Sequence, residues 1–412
     1  MIAVYEKRLW KRVMELSAIG EQVDSGGVTR FSFTEEERQA KNLVISYMKE
    51  AGLVVREDAA GNIIGRREGR DPLAPVVLTG SHIDTVPHGG KFDGALGVLA
   101  AIEALQRMNE LGIETLHPIE VIAFTDEEGA RFGFGMLGSR ALAGTMRAEY
   151  LEYTDERQYT IAQAMEIAGL DPDRVFEAAK RPGQVKAYIE LHIEQGTVLE
   201  DRNLPVGIVS GIAGPLWLQF TLVGKAGHAG ATPMIVRRDP MHAAAEIMGH
   251  IYREAKKHPN AVATVGKVHV IPGGINVIPG EVNFTLDLRD IDETVRNQLE
   301  SSIQAYAVQV CKENSIDLQI STLQRVAPAP CSPDIMSIIE NACRKTGLDS
   351  LTLASGAGHD GMQFSNLCPI GMIFVRSRKG ISHSPDEWSS PEDCHAGEEV
   401  LYHTILQLAM GN

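Results

Sequence analysis

Histidine and aspartate side chains are concentrated in one glycine-rich stretch, Gly80–Gly97, which reads GSHIDTVPHGGKFDGALG. It contains His82, Asp84, His88 and Asp93. Imidazole and carboxylate groups are ligands for zinc, manganese, cobalt and nickel, and a two-metal hydrolytic site needs ligands that hold two such ions close together. A solvated surface turn has the same composition, so this stretch alone does not establish a metal site.

Three later stretches contribute the same kinds of side chain. Glu127 and Glu128 lie in FTDEEG, His192 lies in ELHIEQG, and His383 lies in GISHSP. Each has an ordinary explanation, because an acidic pair after a strand is often a helix start and a strand histidine is often a hydrogen-bonded core residue. Taken together with the glycine-rich stretch, however, they favour a binuclear metal site over these explanations.

The elements that must position these residues alternate between strands and helices. The apolar run PVVLTGS predicts a buried strand that ends at the glycine-rich stretch, and GALGVLAAIEALQRMNELG predicts the helix that follows. HPIEVIAFTDEEG and VKAYIELHIEQG predict two further strands that end in polar groups. This order predicts right-handed crossovers in a mainly parallel sheet. Because the carboxyl ends of parallel strands meet in one crevice, the candidate ligands should lie together there.

The pattern changes from about Pro215 to strand, helix, two strands, helix and strand, which is typical of a split βαβ (ferredoxin-like) unit. APAPCSP, from Ala327, then reads as a return linker. We therefore predict an α/β protein with a large catalytic domain at residues 1–212 and 328–412. A small α+β domain is inserted at residues 213–327.

Bulk composition narrows the class of partner. With 39 basic and 54 acidic residues the net charge is -15, which argues against nucleic acid or an anionic membrane and favours a small-molecule or peptide ligand. The N-terminal stretch mixes charges with apolar residues and does not resemble a signal peptide, and no apolar run approaches the roughly 18 residues that span a bilayer. The 5 cysteines show no CxxC spacing. We expect a cytoplasmic, reduced protein.

These stretches, with KAGHAGATPM, GGINVIPG and SGAGHD in the same order, resemble the metal-dependent amidohydrolases related to aminoacylase and carboxypeptidase-type exopeptidases. Within them the chain is most similar to the branch of N-carbamoyl-L-amino acid hydrolases, allantoate amidohydrolases and beta-ureidopropionases. His192 and Gly94 depart from the exopeptidase pattern and point to this ureido-cleaving branch. The bacterial N-carbamoyl-L-amino acid hydrolases are the best match, with allantoate and then beta-ureidopropionate hydrolysis as open alternatives. A catalytically inactive binding protein on the same fold is an alternative of another class.

The resemblance implies two divalent ions, drawn from zinc, manganese, cobalt or nickel, and a ligand set of His82, Asp93 as the bridge, Glu128, His192 and His383. Glu127 is the implied general base. We expect the carboxylate of Asp84 to accept the second ring N–H of His82 and so to orient it. The resemblance also implies a cis peptide bond between Asp93 and Gly94, while His88 is left without a role.

The resemblance further implies a small ureido substrate that carries a carboxylate. We assign that carboxylate to Arg289, because a guanidinium donates two parallel hydrogen bonds. His228 is expected to donate to the developing oxyanion and Asn276 to position the ligand. The large domain is expected to contribute Gln195, Gly358 and His359. The small domain would act as a lid and form a homodimer.

Overall fold

The computed structural model describes residues 2–411, with side chains from residue 4 onward. Up to the change in pattern near Pro215, the elements are α1 Ile2–Ser17, α2 Glu35–Glu50, β1 Val54–Glu57, β2 Ile63–Arg67, β3 Val76–His82, α3 Ala95–Glu110, β4 Ile119–Phe124, α4 Leu137–Ala143, α5 Ile161–Ile167, β5 Val185–Ile193, α6 Val198–Asp201 and β6 Val206–Ile212. The next segment contains β7 Gly214–Val223, β8 Gly227–His228, α7 Pro240–Ala255, β9 Val262–Ile271, β10 Val277–Ile278, β11 Glu281–Asp290, α8 Glu293–Glu313 and β12 Asp317–Arg325. The chain ends with β13 Ala329–Pro330, α9 Pro333–Lys345, β14 Leu351–Ser355, α10 Gly361–Phe364, β15 Ile370–Val375 and α11 Pro391–Met410.

The large sheet has the strand order β1-β2-β4-β3-β5-β15-β6-β13, and β14 also pairs with β6. Its centre is parallel, as predicted, because β3 pairs in parallel with β4 and β5, and β5 pairs in parallel with β15. Its margins are antiparallel, where β1 and β2 precede β4 and where β6 follows β15. In register, His82 lies opposite Phe124 and His192 lies opposite Phe374. The central strands therefore all end on the same side.

Helix α3 covers this sheet with an almost fully buried surface that is rich in alanine, leucine and valine. The helix approaches the sheet closely at Gly97, where a Cβ would lie 2.1 Å from the carbonyl oxygen of Leu191. Only glycine fits there. Since α3 begins at Ala95, this contact fixes the start of the helix, and with it Asp93, against the strands.

The start of helix α2 resembles a capping box, with one difference. The side chain of Thr34 accepts the N–H of Glu37, as an N-cap residue should. The Glu37 carboxylate, however, accepts the N–H of Phe33 at 2.7 Å, so the reciprocal bond is made one residue earlier than in a standard capping box.

The chain divides into two compact units, and the second comprises Gly211–Pro330 with Ala354–Gly358. Its sheet has the antiparallel order β12-β7-β11-β9. Strand β7 alternates between buried and more exposed residues, and helices α7 and α8 cover its buried face. A short two-stranded sheet pairs β8 with β10.

Within residues 2–411, no helix is long and apolar enough to cross a membrane. The cysteines Cys311, Cys331, Cys343, Cys368 and Cys394 are all unpaired and buried. They are structural side chains of the two cores, and none of them lies in a cluster with histidine or carboxylate groups.

Candidate metal centre

Four neighbouring strands deliver the candidate ligands to one edge of the sheet. His82 is the last residue of β3, and His192 is the penultimate residue of β5. Glu127 and Glu128 follow β4 after a short turn, and His383 lies in the loop after β15. Because β4, β3, β5 and β15 are adjacent and parallel, these loops emerge side by side.

Asp93 lies at the centre of this group and meets three histidines. Its Oδ1 atom is 3.4 Å from Nε2 of His82 and 3.0 Å from Nε2 of His192. Its Oδ2 atom is 3.3 Å from Nε2 of His383, which is also 3.4 Å from Oε1 of Glu128. The two carboxylate oxygens of Asp93 therefore face different partners.

Two groups of donor atoms share Asp93, and in each group the atoms lie within 4.8 Å of one another. One group adds His82 and His192, and the other adds Glu128 and His383. Each has nitrogen and oxygen donors of the kind that zinc, manganese, cobalt and nickel bind. The residues present thus fit two divalent ions with one bridging carboxylate.

The charged groups in this cluster strongly shift one another's pKa values. Burial alone would raise the pKa of Asp93, but the imidazoles of His192, His383 and His82 hold it well below its usual range. Burial raises the pKa of Glu128 to about 7, with a further contribution from Asp93. The hydrogen bond to Asp93 raises the pKa of His383 to about 9. The cluster therefore holds protons on its histidines that a metal ion would displace.

Glu127 and Glu128 form a third group of donor atoms with His82, within 4.8 Å of one another, but they make different further contacts. Oε2 of Glu127 is 3.6 Å from Nε2 of His82, whereas Glu128 reaches His383. Burial raises the pKa of Glu127 well above its usual value. Since one of the pair contacts the group around His383 and the other lies beside His82, the two carboxylates are positioned for different tasks.

Asp84 does not orient His82 in the way we expected. Nδ1 of His82 is 3.0 Å from the backbone carbonyl of Asp84 and 3.6 Å from the carboxylate. The carboxylate instead accepts the backbone N–H groups of Glu127 and Glu128 at 3.2 and 3.1 Å. These amides follow Asp126, whose φ of 56° breaks the strand, so they need acceptors outside the sheet. Asp84 supplies both.

His192 is held by the same kind of backbone contact as His82. Its Nδ1 atom is 2.9 Å from the carbonyl of Ile193, which leaves Nε2 facing Asp93. A backbone acceptor on one ring nitrogen fixes the ring and presents the other nitrogen to a metal. His82 and His192 are therefore oriented by main-chain atoms and not by carboxylates.

The link between Asp93 and Gly94 differs from expectation in one respect. Ile271–Pro272 is the only cis peptide bond among residues 2–411, so the expected cis bond between Asp93 and Gly94 was wrong. Gly94 nevertheless has a special role, because its φ is 62° and a Cβ there would lie 2.4 Å from Nε2 of His82. A side chain at this position would displace the ligand.

The large unit contributes two of the predicted substrate residues, Gln195 and His359. Gln195 donates its side-chain N–H to Oδ2 of Asp93 at 2.7 Å, so its amide is tied to the bridging carboxylate. His359 is buried and packs edge-on against His192, with ring centroids 4.4 Å apart. Burial, reinforced by His192, lowers the pKa of His359 well below its usual value. Gly358 directly precedes His359, but it belongs to the second unit and not, as we expected, to the large domain.

In the second unit, His228 and Asn276 are brought together by the pairing of β8 with β10. Nδ1 of His228 accepts the N–H groups of Gly230 and Ala231 at 3.1 and 3.2 Å, and the carbonyl of Asn276 accepts the N–H of Ala229 at 2.9 Å. The loop that follows β8 is thus fixed at both ends, and the ring of His228 is oriented by its own backbone.

Arg289 lies on strand β11 and already holds a carboxylate. Its Nε and Nη2 atoms bind Asp287 at 3.0 and 2.9 Å, and Nη1 donates to the carbonyl of Gly356 at 2.6 Å. We did not anticipate Asp287, although it precedes Arg289 by two positions in LDLRD and so shares its face of the strand. The guanidinium fork has the planar geometry that carboxylate recognition needs.

Three other residues at the metal centre were not anticipated from the sequence. Ser382 and Glu387 lie in the loop of His383 and contact Asp93, and the buried Arg30 donates to the carbonyl of Ile83 at 2.8 Å. The only signal for Glu387 was an acidic residue in the same proline-containing turn as His383, HSPDE. His88, by contrast, meets Ser25 and takes no part in the cluster.

The chain is similar over nearly its whole length to several known proteins. The chain is 60% identical to an N-carbamoyl-L-amino acid amidohydrolase of Geobacillus stearothermophilus over 98% of its length and 99% of that protein. It is 37% identical over 97% of its length to a protein of Oryza sativa subsp. japonica named "Probable allantoate deiminase", of which 88% is covered. The crystal structure of an amidase of the hydantoinase/carbamoylase family from Burkholderia multivorans matches with a TM-score of 0.91 and 36% identity over 98% of both chains.

These similarities confirm the resemblance found in the sequence, including its ureido-cleaving branch. The family model described as peptidase family M20/M25/M40 matches residues 78–407, which contain every candidate metal ligand. The chain belongs to the M20/M25/M40 peptidase family.

Proposed function

We propose that this protein hydrolyses the ureido C–N bond of N-carbamoyl-L-amino acids and gives the L-amino acid, ammonia and carbon dioxide. The observation that carries the proposal is the 60% identity to an N-carbamoyl-L-amino acid amidohydrolase across nearly the whole of both chains. The metal-ligand cluster supports it, because its donors suit two divalent ions. The alternative of an inactive binding protein is disfavoured, since each proposed ligand and Glu127 are present.

In this proposal one ion is held by His82, Asp93 and His192, and the other by Asp93, Glu128 and His383. When bound, zinc, manganese, cobalt or nickel supplies Lewis acidity that polarises the ureido carbonyl and makes water more acidic. The protein's own contribution is the placement of Asp93 between the two groups of donors. Its main chain also fixes the rings of His82 and His192.

Glu127 acts as the general base. Its side chain is largely shielded from solvent beside His82. It forms a group of donor atoms with His82 and Glu128 but belongs to neither group that contains Asp93, and we therefore assign it to proton transfer. It removes a proton from the attacking water, whose oxygen bonds to the carbamoyl carbon. The bond from that carbon to the amino acid nitrogen then breaks, and Glu127 returns the proton to this nitrogen. The carbamic acid that is released decomposes to ammonia and carbon dioxide.

Gln195 has the chemistry to recognise the ureido group. Its Nε2 atom is anchored on Asp93, while its buried Oε1 atom has no hydrogen-bond partner among the described residues. A ureido group presents N–H donors that this oxygen could accept, and an unmade bond at a buried oxygen costs about 1–3 kcal/mol. We therefore propose that Gln195 receives a ureido N–H. We also propose that Gly358 and His359 take part in substrate binding.

We also propose substrate-binding roles for three residues of the second unit. Arg289 recognises the α-carboxylate, His228 donates to the oxyanion, and Asn276 orients the ligand. The fork of Arg289 supports this role, since its present partner Asp287 is itself a carboxylate. The loop of His228 is rigidly hydrogen-bonded, which favours a precise donor.

We propose that this second unit, spanning about residues 213–327, is also the lid and the homodimerisation domain. Its edge strand β9 has no partner on one side in the described chain and exposes Val262, Val268 and Ile271, and an exposed apolar edge is a template for pairing. Sedimentation of Val268→Lys should give monomers where the parent gives dimers, while the exposed Ile167→Lys in helix α5 should not. We expect the protein in the cytoplasm, in keeping with its unpaired cysteines.

Ammonia release decides the substrate. N-carbamoyl-L-alanine and N-carbamoyl-L-phenylalanine should be hydrolysed after loading with divalent metal, their D-enantiomers should not, and chelation should abolish the activity. Allantoate is the competing substrate, supported by the 37% identity to the rice protein. A larger kcat/KM for allantoate than for every N-carbamoyl-L-amino acid tested would replace the present proposal with that one.

A further inference from the structure

Glu387 is a buried carboxylate that joins two loops of the metal centre. It lies in the loop between β15 and α11, in the same turn as His383, and is 2% exposed. Its Oε1 atom accepts the backbone N–H groups of Phe92 and Asp93 at 2.9 and 3.0 Å. Its Oε2 atom lies 2.9 Å from Oγ of Ser382. One side chain thus connects the backbone of the bridging residue to the loop that carries His383.

The loop of Asp93 is shaped to admit this carboxylate. A Cβ at Gly90 would lie 2.0 Å from Cδ and Oε1 of Glu387, so that only glycine leaves room for it. Behind it, the ring of Trp388 packs edge-on against Phe92, with centroids 5.7 Å apart. The two loops are therefore held together by an apolar contact on one side and by Glu387 on the other.

The side chain of Asp93 is fixed from the same loop. Oγ of Ser382 lies 2.8 Å from Oδ2 of Asp93, as well as close to Glu387. Asp93 is thus held at its backbone nitrogen by Glu387 and at one carboxylate oxygen by Ser382. Since its other oxygen faces His82 and His192, a small rotation of Asp93 would misalign both groups of donors at once.

We propose that Glu387 is a positioning residue for the binuclear centre. It holds Asp93 and His383 in register, and so sets the metal affinity of the two groups of donor atoms that share Asp93. It acts through Asp93 and does not itself ligate, because its two oxygens are engaged by backbone amides and by Ser382. This inference rests on the two-ion site of the proposed function.

Replacing Glu387 with glutamine distinguishes positioning by hydrogen bonds from a requirement for a negative charge. In Glu387→Gln the amide oxygen can still accept both backbone N–H groups, and the amide nitrogen can donate to Ser382. The single hydroxyl hydrogen of Ser382 is then available to Asp93. Glu387→Ala removes every one of these contacts. If Glu387 acts by hydrogen bonding, glutamine should therefore rescue what alanine loses.

The test is a titration of the full-length, metal-stripped protein with Co²⁺, followed by visible absorbance. Glu387→Ala should weaken the binding of at least one of the two Co²⁺ equivalents by tenfold or more, a typical effect of losing a residue that orients a ligand. Glu387→Gln should stay within about threefold of the parent. Asp155→Ala is the matched control, because Asp155 also accepts two backbone amides, of Arg157 and Tyr159, but lies outside the ligand groups. It should bind Co²⁺ as the parent does.

The outcomes separate this inference from the proposed function. A parent chain that takes up fewer than two Co²⁺ ions would overturn the two-ion site itself. If the parent takes up two, unchanged affinities for both Co²⁺ ions in Glu387→Ala, or an equal loss in Glu387→Gln or Asp155→Ala, would overturn the positioning role.

Gly90→Ala provides a second test that keeps Glu387 in the chain. The added methyl group should push out the carboxylate, which is the movable end of a flexible side chain, without preventing folding. Co²⁺ affinity should fall as in Glu387→Ala, and combining the two changes should add no further loss, since they break the same contacts. Strictly additive losses, or normal affinity in Gly90→Ala, would contradict the inference.

Discussion

The carboxylate of Asp84 accepts the backbone N–H of Glu127 at 3.2 Å, with its other oxygen on the next amide of the same turn. Asp84, two residues after the end of β3, therefore positions the main chain of Glu127, the proposed base. Asp84 ties the end of β3 to the turn after β4 and acts on two functional loops together.

Asp84→Asn tests this connection. The asparagine amide keeps one acceptor oxygen but has an NH₂ donor in place of the other. Because that NH₂ group would face a backbone N–H, the turn that carries Glu127 and Glu128 should shift. We expect kcat to fall by about 10- to 100-fold, with a smaller change in KM. Asp155→Asn, which alters a similar turn elsewhere, should leave kcat unchanged. Equal kcat values for Asp84→Asn and the parent would refute the connection.

Glu127→Gln should separate catalysis from metal binding. Glutamine has nearly the same shape but cannot accept the proton of water, so we expect kcat to fall by about 10²- to 10⁴-fold with two metal ions retained per chain. Metal analysis together with ammonia release measures both. Glu128→Gln is the contrasting variant, since it should lose metal as well as activity. Substantial turnover in Glu127→Gln would remove it from the role of base.

Metal affinity should increase with pH. Because the metal-free chain holds a proton on His383, whose pKa is raised to about 9 by Asp93, an incoming ion must displace that proton at neutral pH. The apparent affinity should therefore rise between about pH 6 and pH 9, by up to about tenfold per pH unit for each displaced proton. Calorimetric titrations in buffers of different ionisation enthalpy count these protons. An affinity that is constant over this range would be inconsistent with the geometry.

Arg289→Lys should mainly impair substrate binding. Lysine keeps the positive charge but cannot make the two parallel bonds seen with Asp287. We expect KM for N-carbamoyl-L-amino acids to rise by about tenfold or more, corresponding to roughly 1.4 kcal/mol, with kcat less affected. Arg325→Lys, an ion-paired arginine on β12, is the control and should not change KM. An unchanged KM in Arg289→Lys would exclude the carboxylate role.

Glu398 should make the protein less stable as pH rises. Burial raises its pKa from 4.5 to about 7, although the neighbouring His395 acts in the opposite direction. The folded chain thus holds this proton more tightly than the unfolded chain, so the stabilisation is complete below pH 4.5 and is lost as pH approaches 7. Glu398→Gln removes the ionisation and should be more stable than the parent at pH 8, by up to about 3 kcal/mol.

Urea unfolding at pH 5 and pH 8 measures this difference. Glu166→Gln serves as the control, because Glu166 is exposed and should change neither value appreciably. A pH dependence that is the same in Glu398→Gln and in the parent would show that this carboxyl group is not its source.

Much of the metal centre could be predicted because strand ends are visible in a sequence. Apolar runs that end in His82, in Glu127 and in His192 identify buried strands with polar termini, and the strand–helix–strand order makes those strands parallel. The residue types then limit the chemistry to hard or borderline metals. The antiparallel pairing at the margins of the sheet was harder to predict, because short strands such as β1 carry no signal of direction.

The partners of individual side chains could not be predicted. Glu387 reaches Phe92 across 295 positions in the chain, and no periodic pattern links them. The expectation for Asp84 was wrong because its carboxylate can accept hydrogen bonds from several donors, and the ring of His82 can use a backbone carbonyl instead. The left-handed backbone at Asp126 created the competing demand.

The sequence by itself therefore determined the candidate ligand types and the strand ends that carry them, because local periodicity encodes burial and direction. Its ordered motifs determined the family. Only the tertiary structure decided that Asp93 offers its two oxygens to different histidines and that backbone carbonyls orient His82 and His192. It also decided that Glu387 fixes the bridging residue. These are hydrogen bonds of loops distant along the chain, and they form where packing brings unsatisfied donors and acceptors together.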